Sequence, residues 1–232
     1  MREAMLVAAR RLSPEVRELT IDPGADFRFV AGQWVSFRIP VQGQIAARAY
    51  SIASAPRADG PFQIAVTRVE QGLGSGYLHA LELPAVLPMT GPEGLFRLEE
   101  PQRLILMVAT GTGVSPLRSM LLAAESAGRE LPPTTLLFGM RTESDLLYRE
   151  DFERLASKWR AFRYEPTLSR AGEAWSGRRG YAQAHVAELV RALGGDCDVY
   201  ACGLNEMIKE VRGLLKSELG FARQRIHTER YD

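Results

Sequence analysis

Cysteine is scarce in this chain: 232 residues hold only Cys197 and Cys202. An iron–sulfur cluster takes about four thiolate ligands, so two cysteines exclude one. Both lie in a single apolar run, and nothing marks the chain as secreted, which argues against a disulfide framework. Histidine is nearly as rare. His79, His185 and His227 show no metal-ligand spacing, and no metal site is expected. No run approaches the roughly 18–20 apolar residues that span a bilayer. Met1–Arg11 lacks the apolar stretch of a signal peptide, so a soluble, cytoplasmic protein is expected. An excess of one charge is missing too. The 29 basic and 28 acidic side chains leave +1, far from the clustered basic surplus of a nucleic-acid binder. There is no internal repeat and no low-complexity segment.

What the chain does have is 46% hydrophobic and 25% charged residues, ordinary for a globular protein with a sizeable core. Its pattern changes near residue 100. Before that point short alternating runs are separated by Gly/Pro/Asp turns. Val16–Ile21 is one, Trp34–Ile39 sets Val35, Phe37 and Ile39 against Trp34, Ser36 and Arg38, and Phe62–Val69 is a third. Period-2 alternation means one face buried and one wet, and many such strands predict an antiparallel barrel or sandwich. A short helix is expected over Ser75–Leu83. Beyond residue 100 the runs Leu104–Ala109, Thr134–Phe138 and Asp198–Cys202 are continuously apolar, as in strands buried on both faces of a parallel sheet. Helical stripes alternate with them: Leu117, Met120, Leu121 and Ala124, then Ile208, Val211, Leu214 and Leu215. The expectation is two domains, 1–100 and 101–232, meeting at Glu99–Arg103, the second an α/β Rossmann-like parallel sheet.

Four motifs carry chemistry. In Arg48-Ala49-Tyr50-Ser51, residues two apart on a strand share a face, so Arg48 offers a planar fork for phosphate and Tyr50 a flat platform for a ring. The Ser51 hydroxyl both donates and accepts, which suits the redox-active nitrogen of a flavin. An ordinary strand with an exposed arginine has the same pattern. Gly72-Leu73-Gly74-Ser75 places small residues where a helix begins, an anion-attracting position, although Ser75 also reads as a plain N-cap. Thr110-Gly111-Thr112-Gly113-Val114-Ser115-Pro116 follows a buried strand. Its glycines allow close backbone approach to a pyrophosphate, and Pro116 suits the first turn of the next helix. Tyr200-Ala201-Cys202-Gly203 ends another buried strand, where ligands of open α/β sheets bind.

In this order, over nearly the whole chain, the motifs resemble the ferredoxin–NADP reductase family. The resemblance implies a flavin-binding antiparallel β-barrel of Greek-key type followed by an NAD(P)-binding domain. It makes Arg48, Tyr50 and Ser51 the flavin motif, with Arg48 on phosphate, Tyr50 stacked on the ring and Ser51 near N5. It makes Gly72, Gly74 and Ser75 the segment receiving the flavin phosphates. Gly91-Pro92-Glu93-Gly94-Leu95-Phe96 is similar to the turn that closes the barrel. Thr110, Gly111, Thr112, Gly113 and Pro116 become the pyrophosphate loop, and Cys202 and Gly203 the pair beside the nicotinamide. Two positions depart from the family pattern: Thr110 replaces the first glycine of Gly-Gly-Thr-Gly, and Asn205 the proline of Cys-Gly-x-Pro.

The resemblance further implies FAD rather than FMN, hydride transfer between nicotinamide and flavin, and single electrons exchanged with a ferredoxin, a flavodoxin or a redox-complex subunit. Ser51, Cys202 and Tyr231 are then the catalytic candidates, Tyr231 as the aromatic residue on the opposite flavin face, just past a last strand at Arg225–Glu229. For the nucleotide, Arg141, Ser169-Arg170 and Arg178-Arg179 supply the arginines and hydroxyl that a 2′-phosphate favours, and the Ser169-Arg170 pair resembles the phosphate clamp of NADP-using relatives, so NADPH is expected over NADH. Two other readings share these motifs. One is a reductase component of a multicomponent oxygenase, for which the chain shows no cysteines or room for a fused ferredoxin. The other is a non-catalytic flavin-binding sensor or scaffold, disfavoured by the intact Gly111, Gly113, Cys202 and Gly203.

Overall fold

The computed structural model describes residues 1–98, 101 and 103–231. The expected boundary, Glu99–Arg103, falls on a stretch of which Glu99, Glu100 and Gln102 lie outside the described residues. The chain forms two compact units, Met1–Leu98 with Arg118–Gly128, and Glu99–Leu117 with Arg129–Asp232.

The first unit is built from β1 (Arg2–Ser13), β2 (Val16–Asp22), β3 (Trp34–Val41), β4 (Gln44–Ser51), β5 (Phe62–Thr67), helix α1 (Leu73–Ala80) and β6 (Ala85–Glu93). The strands are antiparallel in the order β4-β3-β6-β1-β2-β5. Its edges meet where Ile52 bridges Ile64 and the Ala53 N–H donates to the Gln63 carbonyl at 2.7 Å, curling the sheet into a barrel. Alternation dictates the interior. Val35, Phe37 and Ile39 are fully buried, and they pack with Leu6, Leu19, Ile21, Phe62, Ile64 and Met89. A buried polar chain runs beside this core. Glu18, 2% exposed, takes the Arg10 guanidinium and the Gln63 amide, and Arg118 donates to the Gln63 side chain and the Ala53 carbonyl.

Helix α1 begins at Leu73, earlier than expected, and stops at Ala80 rather than Leu83. Arg17 donates to the carbonyls of Leu78, His79 and Leu81, satisfying the helix end with one guanidinium. Strand β5 likewise ends at Thr67 instead of Val69, because the Arg68 N–H turns away to the Glu15 carbonyl.

The second unit holds β7 (Leu104–Thr110), the start of α2 (Val114–Ser126), β8 (Thr134–Met140), α3 (Arg149–Lys158), β9 (Phe162–Leu168), β10 (Arg178–Arg179), α4 (Gln183–Ala192), β11 (Cys197–Leu204), α5 (Asn205–Gly213) and β12 (Ile226–Tyr231). All pairings are parallel, in the order β10-β9-β8-β7-β11-β12. The order reverses between β7 and β11, and such a switch point opens a crevice at the carboxyl ends of its strands. Leu106, Val108, Leu137, Val199 and Ala201 pack on one face against Val186, Val190, Ile208 and Val211 of α4 and α5. On the other, Phe138 meets Phe152 of α3 edge-on, with ring centroids 6.4 Å apart. Among the described residues no helix is long and apolar enough to cross a membrane.

Candidate active site

The barrel unit brings two of the sequence motifs together. Strand β4 lies at the sheet edge, so Arg48 is exposed. Tyr50, two residues on, is half-buried, with its ring 6.2 Å from that of Phe37. Burial pushes the Tyr50 phenol up to about 12, while the nearby Arg48 charge pulls it down. The phenol therefore stays neutral at working pH. A β-carbon at Gly74 would lie 3.2 Å from Arg48 Nε and 3.3 Å from its Cγ, so the start of α1 lies against the arginine stem. Ala49 is exposed between these two side chains, and Ser51 is buried at 4%.

Ser75 departs from expectation. The N-cap is Gly72, with no side-chain hydrogen bond. Ser75 lies one turn in, where its hydroxyl donates back to the Gly72 carbonyl and accepts from the Val69 N–H, both at 3.0 Å. A serine satisfied by its own loop does not need the cap position. His79 bonds the Val66 carbonyl through Nε2 at 2.8 Å, tying the helix to β5.

In the second unit the glycine turn and the Cys202-Gly203 pair sit at the switch point. Gly111–Gly113 forms a tight 3-10 turn, and Pro116 lies in the first turn of α2. A β-carbon at Gly113 would collide with the Cys202 backbone, and one at Gly203, whose φ is +149°, with the Thr110 side chain. Thr110 Oγ1 accepts from the Leu204 N–H at 3.2 Å, joining the ends of β7 and β11. Among the described residues nothing stands within 4 Å of a β-carbon built at Gly111 and the buried Ser115 hydroxyl at the helix start has no hydrogen-bond partner, while Thr112 is half-buried.

Tyr231 does not follow the last strand; it ends β12, in register with Leu204. Parallel pairing with β11 supplies the backbone bonds that keep it in the sheet. The same register sets Glu229 opposite Cys202. Sequence reading passed over Glu229, although it lies two residues from Tyr231 on the same strand face. Burial pushes the Cys202 thiol well above its usual range, the Glu229 carboxylate adds to this, and a hydrogen bond with Tyr231 pulls the other way. Burial also raises Cys197 to about 11. Both thiols are expected to stay unmodified when the folded protein meets excess iodoacetamide near about pH 8, and to react on unfolding. Intact mass measures this, and rapid alkylation of the folded chain would contradict it.

The arginine cluster divides. The Ser169 N–H donates to the Met140 carbonyl at 3.0 Å and the Arg170 N–H to the Arg141 carbonyl at 2.8 Å, which puts Arg141, Ser169 and Arg170 side by side past β8 and β9. Arg178 is elsewhere engaged. Its guanidinium donates to Glu165 at 3.0 Å and to both oxygens of Glu188 at 2.9 and 3.0 Å, and these bonds hold its pKa above the usual value. Two carboxylates use its fork, an internal tie that sets it apart from the exposed Arg141 and Arg170. A cleft of about 660 Å³ beside Tyr181, Gln183 and Glu210 is lined by none of the expected site residues.

Comparisons with known proteins match this arrangement. The oxidoreductase FAD-binding domain profile covers residues 3–98 and the oxidoreductase NAD-binding domain profile residues 107–213. Ferredoxin–NADP reductase B of Sorangium cellulosum (strain So ce56) is 52% identical over 99% of this chain and 97% of that protein. The chain belongs to the ferredoxin–NADP reductase family. The 2-halobenzoate 1,2-dioxygenase electron transfer component of Burkholderia cepacia is 36% identical over 86% of this chain, which spans 58% of that longer protein. Among solved structures, the flavohem-like FAD/NAD-binding domain of nitric oxide dioxygenase from Vibrio cholerae O1 biovar El Tor superposes with a TM-score of 0.87. It covers 99% of this chain and 98% of that one at 22% identity, a likeness of fold.

As a member of the ferredoxin–NADP reductase family, the chain is an oxidoreductase using FAD and a nicotinamide nucleotide. Its residues fit both groups. The exposed Arg48 fork beside the side-chain-free Gly74 suits a phosphate, and the open backbone at Gly111 with the orphaned Ser115 hydroxyl suits another.

Proposed function

We propose that this oxidoreductase prefers NADPH and exchanges single electrons with a carrier of the ferredoxin or flavodoxin type. The observation that carries the reading is the pairing of Arg141 with Ser169-Arg170 through the Arg170 N–H. It sets two exposed arginines and a serine on neighbouring backbone, and the structure draws no carboxylate to either arginine among the described residues. A doubly charged phosphate ester is what such a group selects. Support for the carrier comes from the 52% identical relative, whose name states a ferredoxin substrate and whose length this chain spans almost entirely.

The chain's own residues divide the work. Arg48 and the α1 amides hold flavin phosphate, Tyr50 offers its neutral ring as a platform, and the Ser51 hydroxyl supplies a hydrogen bond to the ring edge. The amides of the Gly111–Gly113 turn bind pyrophosphate. Cys202, uncharged, gives the nicotinamide a polarisable wall without a competing anion. Glu229 and Tyr231 flank that thiol. When bound, the flavin supplies the conversion between two-electron and one-electron chemistry.

The test is a visible spectrum of the purified protein, then anaerobic titration with NADPH and NADH, then reduction of added ferredoxin and flavodoxin. A yellow protein bleached faster by NADPH, with carrier-dependent turnover, is expected. A protein that stays colourless with added FAD would overturn the reading in favour of a scaffold, and a bleachable protein that passes electrons to neither carrier would remove the partner assignment. A reductase serving an oxygenase is the second reading, supported by the dioxygenase component of Burkholderia cepacia.

A further inference from the structure

The barrel carries a second concavity, lined by none of the residues assigned to flavin. It measures about 270 Å³, below the roughly 300–1,000 Å³ of usual small-molecule sites, and so suits a compact ligand. Arg10, Arg11, Arg17, Arg68 and His79 line it, and its lining contains no carboxylate.

The β1–β2 hairpin, the loop after β5 and helix α1 bring these cations together. The β1–β2 register sets Arg11 directly opposite Arg17, and like charges opposed across a ladder destabilise it. The bond from the Arg68 N–H to the Glu15 carbonyl, 2.7 Å, carries Arg68 to the hairpin's turn. Among the described residues only Arg10 of this group is neutralised locally, by Glu18 with Nε–Oε1 at 2.6 Å. Arg17 is fixed in place, because its NH1 donates to the last carbonyls of α1 while the rest of the fork remains. Arg11 and Arg68 are exposed, and the structure draws no carboxylate to either among the described residues. His79 is held through Nε2 to Val66, leaving Nδ1 as the ring's other polar atom. Guanidinium forks match the oxygen geometry of phosphate. An anion between Arg11 and Arg17 would convert a repulsive cross-strand pair into a bridged one.

We infer that this groove binds a phosphate group of two or more negative charges, with Arg11, Arg17 and Arg68 as its ligands, independently of the nucleotide site. The shared chemistry is phosphate; its source is either the free ion or a phosphate ester.

Calorimetric titration of the FAD-loaded protein at constant ionic strength tests this, with inorganic phosphate, inorganic pyrophosphate and glycerol 1-phosphate as probes. A saturable site is expected beyond any binding at the nucleotide residues. The pair Arg11→Gln and Arg68→Gln should weaken it at least about tenfold, with the flavin spectrum unchanged. The pair Arg141→Gln and Arg170→Gln should not weaken it. Both side chains changed in the groove are exposed, so the fold is not at risk. Glycerol 1-phosphate binding as well as inorganic phosphate supports an ester as ligand, and binding of the inorganic ions alone supports the free ion. No saturable binding, binding indifferent to the Arg11/Arg68 pair, or binding lost with the Arg141/Arg170 pair would each overturn the inference.

Discussion

Gly113→Ala is expected to leave FAD bound but to cut its reduction by NADPH about a hundredfold, whereas Gly111→Ala should keep most of the rate. The two glycines are two residues apart in one turn and differ in what surrounds them. A β-carbon at Gly113 would stand 2.6 Å from the Cys202 carbonyl carbon and 2.6 Å from Gly203 Cα. These are backbone atoms of β11, where Cys202 is paired on both sides and Gly203 with β12, and they cannot swing aside as a flexible side chain does. The turn or the strand end must move, at a cost on the order of 1–3 kcal/mol. A misplacement near 1 Å can cost about 10²-fold in rate. Gly111 has φ +56° and nothing within 4 Å of its β-carbon position. Alanine there pays roughly 1–2 kcal/mol for the left-handed backbone and meets no obstacle. Flavin retention should hold in both variants, since Arg48, Tyr50 and Gly74 belong to the other unit. Anaerobic stopped-flow bleaching measures the rates. Wild-type reduction of Gly113→Ala would remove this turn from the nicotinamide site, and equal losses in both variants would assign the effect to backbone conformation instead of close approach.

Much of this site could be read from the sequence because it rests on patterns of short range. The alternation of Val35, Phe37 and Ile39 set a half-buried strand, and the run Leu104–Ala109 a fully buried one, through side-chain period alone. Gly111–Gly113 stood out because a strand, glycines and a helix follow in immediate succession. What escaped depends on partners distant in sequence. Arg170 and Arg178 lie eight residues apart in one segment and read alike, yet Glu165 and Glu188 converge on Arg178 only once β9, β10 and α4 are packed. Glu229 was no more than the last residue of an expected strand; only the β11–β12 register sets it against Cys202. Ser75 had two ways to satisfy its hydroxyl, and the choice follows from how Val69–Gly72 turns. The opposition of Arg11 and Arg17 is likewise a matter of hairpin register, which the turn at Pro14 suggests but does not determine.

Arg141→Ala and Arg170→Ala should each raise KM for NADPH roughly ten- to a hundredfold and leave NADH nearly unchanged, while Arg178→Ala should not alter the ratio of the two. A hydrogen bond to a charged group contributes about 1.5–3 kcal/mol, which sets that range. Arg141 and Arg170 are exposed, and the bond between their backbones holds them in neighbouring positions. NADH lacks the 2′-phosphate such a pair would take, so their loss costs it little. Arg178 is a different case. Glu188 accepts two of its bonds and Glu165 a third, and its side chain is 22% exposed. Alanine there frees two carboxylates and loosens β10 against α4. The expected effect is a melting temperature lower by roughly 2–4 °C, as for a modest, largely solvent-screened ion-pair group in a chain of this size. Initial rates with each nucleotide, beside a thermal melt of each variant, separate these roles. A change in nucleotide ratio at Arg178, or its absence at both Arg141 and Arg170, would place the phosphate-selecting group elsewhere on the sheet's carboxyl edge.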